Sequence, residues 1–162
     1  MVVYPAVIIH GLADARAVLS RGRSATLLSA PGAGLYAGCG WWRALAALAL
    51  AEFPDVPMSH APMSPGSMSN APTPHAATMD VLDCADGAGQ ALAALRISVV
   101  RLVLWQAAPG WAAVSAIARA KGGFVLPEAP PALDLARRGA VRLLDDWLHR
   151  PCAPGDIAAK LG

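Results

Sequence analysis

The segment Leu82-Asp83-Cys84-Ala85-Asp86-Gly87 sets a thiol between two carboxylates, directly ahead of a run with helical character. A cysteine at the start of a helix is placed where the positive helix end favours the thiolate, which is the nucleophilic form. Flanking carboxylates act in the opposite sense, so Cys84 also reads as a buried, inert thiol. Asp86 has the position of a helix N-cap, which would explain it without chemistry. Asp83 has no capping duty and is the better candidate for binding or proton transfer. His10 closes the apolar run that begins at Val2 and stands where a general base would act; a histidine merely hydrogen-bonded at a strand end is the plainer alternative.

Two further stretches stand out. Pro31-Gly32-Ala33-Gly34-Leu35-Tyr36-Ala37-Gly38-Cys39-Gly40 follows an apolar run and precedes a strong helix former, and small residues there let backbone N–H groups approach an anion at the helix start. The spacing is neither GxGxxG nor a Walker loop, and no acidic residue closes the preceding run to hold a ribose, so a small phosphate or carboxylate fits better than a nucleotide. The same glycines would also let a helix lie close to a sheet. From Met58 the chain reads MSHAPMSPGSMSNAP, three passes of a five-residue unit opening with Met-Ser. Thioethers at Met58, Met63 and Met68 with the His60 imidazole suit a soft ion such as Cu(I), but expansion of a tolerated surface loop accounts for the same pattern, and no metal site is expected. Cys39, Cys84 and His10, drawn from three separate loops, make only a weak metal set.

The elements that must position these residues alternate. Continuous apolar runs at Val2–Ile9, Ala25–Ser29, Met79–Cys84, Arg101–Trp105 and Phe124–Leu126 predict strands buried on both faces. Between them lie helical patterns: Leu12–Arg21, the WWRALAALALAEF segment ending before Pro54, Ala88–Arg96, and WAAVSAIARA stopping at Gly122-Gly123. From Leu133 the apolar positions Leu135, Val141, Leu144 and Leu148 predict one or two further helices, with Gly139 a possible break. Five strands alternating with helices mean an α/β fold with a mainly parallel sheet and right-handed crossovers: a three-layer αβα arrangement, doubly wound, flavodoxin-like or Rossmann-like, with 2-1-3-4-5 the expected order. An eight-stranded barrel does not fit this length. Residues 1–150 are expected to form one domain, with 55–78 a low-complexity Met/Pro/Ser insertion at the amino edge of the sheet and 151–162 a tail.

The bulk composition narrows the function classes. With 162 residues one core suffices. Only 15% of residues are charged and 56% are hydrophobic, an apolar excess that favours a homo-oligomer. Despite a net charge of +2, the cations are scattered without a basic stripe, so no nucleic-acid partner is expected. The mean hydropathy of +0.45 comes largely from alanine, and the longest apolar run of the second helix, Ala44–Ala51, is far below the roughly 18 residues of a membrane span. No basic n-region precedes the first strand, which reads as a cytoplasmic protein without a signal peptide. Three cysteines without CxxC spacing predict reduced thiols.

The expected function is binding of a small phosphate- or carboxylate-bearing molecule at the carboxyl edge of the sheet. Ser29, Gly32, Gly34, Asp83 and Asp86 are the expected binding groups, and His10, Asp83 and Cys84 the candidates for catalysis. The alternatives are a non-catalytic oligomeric scaffold, in which Trp41, Trp42 or Trp111 fill an interface, and copper handling by the Met/His loop. No motif names a cofactor, a substrate or a reaction.

Overall fold

A strand in the middle of a parallel sheet must be apolar on both faces, and Ala6–Ile9 meets that condition as β1. The computed structural model describes residues 4–54 and 78–150. Beside β1 runs β2 (Ala25–Ser29), buried along its whole length, followed by β3 (Thr78–Asp83), β4 (Arg101–Val103) and β5 (Phe124–Leu126). A sixth strand, β6 (Ala132–Asp134), lies against the other side of β1. All pairings are parallel and the order is β5-β4-β3-β2-β1-β6. The α/β class with a parallel sheet flanked by helices is therefore as expected. The strand count is six rather than five, and the order is not 2-1-3-4-5: β2 to β5 add successively on one side of β1, and only β6 is placed on the other.

The helices are α1 (Leu12–Leu19), a single-turn α2 (Ala33–Tyr36), α3 (Gly38–Ala51), α4 (Ala88–Arg96), α5 (Trp111–Ala120) and α6 (Ala140–Leu148). Successive addition of parallel strands through right-handed crossovers returns each helix to the same side of the sheet. In agreement with this, α1, α3, α4, α5 and α6 all bury side chains in one large cluster with Val7, Ile9, Leu27, Leu82 and Leu102. Alternate residues of the strands, Leu28, Val81, Val103 and Leu126, form a second, smaller cluster on the opposite face. Trp42 is completely enclosed in the large cluster and so is not available to fill an interface, whereas Trp41 on the next position of α3 remains partly exposed.

The C-terminal third departs most from expectation. Residues 132–134 are a strand, not the start of a helix, and Gly139, with φ 85°, sits ahead of α6 in the left-handed region open to glycine. The α6 helix is tied to the sheet by Trp147, whose indole Nε1 donates to the Ala6 carbonyl at 2.8 Å. The connection from Leu126 to Ala132 joins the two outermost strands. Six residue steps reach at most about 21 Å, while the outer strands of a flat six-stranded sheet are about 24 Å apart. The sheet must therefore curl so that its two edges approach. The Met/His repeat with Met58, His60, Met63 and Met68, the remainder of the expected insertion up to residue 77, and the tail with Cys152 lie outside the described residues.

Candidate ligand site at the carboxyl edge of the sheet

β1 and β6 are the one pair of neighbouring strands in the sheet that are not consecutive in sequence. Such a reversal in strand order is where open parallel sheets form a crevice beyond their carboxyl ends. Two polar side chains meet there. His10 follows β1, Asp134 ends β6, and His10 Nε2 and Asp134 Oδ1 are 2.7 Å apart. Partial burial alone would push the Asp134 carboxyl up, but the bonds from His10 and from the Ala136 amide (3.0 Å), together with the His10 and Arg137 charges, hold it below its ordinary value. An ionised carboxylate can only accept. Nε2 therefore carries the hydrogen of this bond, and in the neutral ring Nδ1 keeps a lone pair for another partner. The His10 side chain is 38% exposed, so that partner can come from solvent.

The backbone beneath the ring is fixed as well. Asp14, in the first turn of α1, accepts from the His10 amide at 2.8 Å. Gly11 lies between them in extended conformation, and the space around its Cα is open. His10 is thus held through its ring by β6 and through its amide by α1.

No protein-family model, curated protein or solved structure matches this chain.

The adjoining part of the edge, over β2 and β3, is occupied by contacts within the protein. Asp83 is buried, and its Oδ1 accepts from the amides of Ala85 (2.8 Å) and Gly32 (3.2 Å). Burial pushes the Asp83 carboxyl up, against the opposing pull of those two bonds. Ser29 Oγ accepts from the Asp83 amide at 2.9 Å. Ser29, Gly32 and Asp83 therefore clamp the loop after β2 to the loop after β3. Gly34 presses on the same place: a Cβ there would stand 2.8 Å from Cys84 Sγ and 3.1 Å from the Asp83 carbonyl. Cys84 is fully buried, and burial, with the Asp83 and Cys39 charges, pushes its thiol up to about 12; it stays protonated and is a poor nucleophile at neutral pH. Asp86 is exposed, and the residue that caps α4 is Gly87, without a side-chain cap.

The structure thus brings Ser29, Gly32, Gly34, Asp83 and Cys84 together and sets His10 apart from them, with Asp134 as its companion. Sequence reasoning missed Asp134 because it read residues from 133 onward as helix. The available signal was Asp134 itself, a lone carboxylate ending the short apolar Ala132-Leu133 pair after a proline-rich break. No group of three or more His, Cys, Asp or Glu side chains able to hold a metal ion occurs among the described residues, Cys39, Cys84 and His10 included. Nor is any helix among them long and apolar enough to cross a membrane.

Proposed function

We propose that this α/β domain binds a small molecule at the carboxyl edge between β1 and β6, with an anionic group of that molecule, a phosphate or a carboxylate, seated against His10 Nδ1. The observation that carries the reading is the 2.7 Å pairing of His10 with Asp134 at the single reversal of strand order. Asp134 orients the ring, and a ring that carries both protons offers Nδ1–H to an anion in a charge-assisted hydrogen bond. The start of α1, immediately after His10, adds the positive end of a helix to the same place. Asp83, Ser29 and Gly34 serve this site from a distance by holding the neighbouring loops rigid, and the buried Cys84 is part of that support.

The test is a thermal-shift screen against inorganic phosphate, sugar phosphates, small carboxylates and nucleotides. A ligand present at about 100 times its dissociation constant adds roughly 2.7 kcal/mol to stability, a rise of several degrees for a domain of this size. The expected result is a shift from at least one anion that the His10→Asn variant abolishes. A flat response across the panel, or a shift that His10→Asn leaves intact, would remove the site.

A further inference from the structure

Trp105 is 53% exposed, unusual for so large an apolar ring, although its backbone is firmly held. It follows β4 at the carboxyl end. Its amide donates to the Ala85 carbonyl at 2.7 Å, and its own carbonyl accepts from the Ala108 amide at 2.8 Å. The Ala85 amide in turn donates to Asp83 Oδ1. Ala85 has φ 47°, a left-handed conformation that costs a residue with a Cβ energy and persists only where the surroundings enforce it. The chain beneath the indole is thus fixed, while the side chain is left open to solvent.

Strand alternation sets the face on which it stands. Val103 belongs to the smaller core cluster and Leu104 to the larger one. The Leu104 amide still bonds to the Leu126 carbonyl at 3.0 Å, so the extended course of β4 carries Trp105 onto the Val103 face. His10 reaches the same face by the same count, after Ile8 against the smaller cluster and Ile9 in the larger. The five long helices pack on the other face and need the wider, outer side of a curled sheet, so the Val103 face is its hollow. Trp105 and His10 both stand on the carboxyl rim of that hollow. β4 and β1 are three strand spacings apart, about 14 Å on a flat sheet and less across the curl. The rim between them carries Ala30 and Ala85, both small and nearly buried.

We infer that the ligand of the carboxyl edge carries a planar aromatic ring, which stacks on the Trp105 indole while its anionic group sits against His10. This rests on the anion seat proposed above and adds the class of molecule that fills it. Inorganic phosphate or a short aliphatic acid can meet His10 but cannot reach both residues. A cation is the other partner of a ring face, but sites for quaternary ammonium groups enclose the charge in a cage of several rings. Trp105 stands in no ring pair among the described residues, whereas Trp41 and Trp42 form one. A single flat face suits a flat partner.

Calorimetric titration of the full chain with two pairs of probes tests this, each pair differing by a ring: AMP against ribose 5-phosphate, and 4-phenylbutyrate against butyrate. The variants are Trp105→Ala, Trp105→Phe and His10→Asn; both positions are exposed, so the core is untouched. In at least one pair the ring-bearing probe should bind about tenfold tighter or more, as for one stacked ring. Trp105→Ala should cancel that preference without weakening the ringless probe, Trp105→Phe should keep most of it, and His10→Asn should weaken both members of the pair alike. Equal binding within both pairs, weakened by His10→Asn, would overturn the ring and leave the anion seat standing. A ring preference that survives Trp105→Ala, or that Trp105→Phe loses as fully as Trp105→Ala does, would overturn it too. A preference that Trp105→Ala removes but His10→Asn leaves intact would remove the anion seat and the joint site with it. No binding of any of the four probes would end both.

Discussion

Single side chains at the carboxyl edge divide into those that carry a free valence and those that are used up. Asp83 belongs to the second group, because its Oδ1 satisfies two amides in a buried place. Its carboxyl is raised in the fold, so the ionised form is the disfavoured one. Its contribution to stability is fully present below the unfolded value of about 3.9 and is lost as pH rises through the higher folded value. Asp83→Asn keeps an oxygen for both amides and removes the charge, so chemical denaturation at pH 7 should find it as stable as the wild type or more so, with a flatter pH profile. Asp83→Ala leaves both N–H groups without a partner and should cost about 1–3 kcal/mol. If Asn and Ala destabilise equally at pH 7, the ionised carboxylate is doing something that an amide oxygen cannot. Asp134 behaves in the opposite sense. Its carboxyl is held down in the fold, so its contribution is present above the unfolded value and is lost as pH falls through the lower folded one. Asp134→Asn should accordingly flatten the acid limb of the stability curve measured by chemical denaturation.

At the scale of elements, the glycine-rich stretch before and within α3 shows why one motif needs two readings. Gly34 is buried against backbone and sulfur, with Cys84 Cα at 3.2 Å from a would-be Cβ. Gly34→Ala should therefore destabilise by roughly 1–3 kcal/mol, the usual range for overpacking. Gly40, six residues on, is an exposed position inside α3 with nothing within 4 Å, and Gly40→Ala should stabilise by about 0.5–1 kcal/mol through helix propensity. Thermal melts of the two variants moving in the same direction would contradict this division. The sequence shows glycine at both positions and cannot distinguish them, because what separates them is a neighbour fifty residues away, Cys84. Helices with a strong alanine and leucine pattern were legible to within a few residues: Ala88–Arg96 is found as read, and the first helix ends two residues early. The strands with several branched or leucine residues were legible too. Ala132–Asp134 was not, since three residues without a β-branched side chain carry no period, and it becomes a strand only because β1 supplies a partner on that side. With β6 unseen, the companion of His10 could not be seen either.

For the whole molecule the decisive quantity is the reach of the chain between β5 and β6. Residues 127–131, rich in proline, draw the two outer strands toward each other and so place Asp134 beside His10, although 124 residues separate them in sequence. Proline at three of those five positions fixes φ at each and limits how the span can fold. Lengthening and shortening this connection should then be unequal. Four Gly/Ser residues inserted after Ala129 add only the small entropy of a longer loop, well under about 1 kcal/mol by the logarithmic dependence on length, and leave β6 free to pair. Deleting Ala129 and Pro130 removes about 7 Å of reach, more than the spacing of one strand from the next. β6 must then leave β1, and the His10–Asp134 bond and the Trp147 bond to Ala6 are lost with it. Hydrogen exchange should show the β1 amides protected in the wild type and in the lengthened chain, but exposed in the shortened one, with the large core still folded because β1 to β5 and their helices do not depend on β6 for pairing. A shortened chain that keeps β1 protected would mean that the edges lie closer together than the pairing alone requires; a lengthened chain that loses protection would mean that the connection supports β6 by contact and not only by reach.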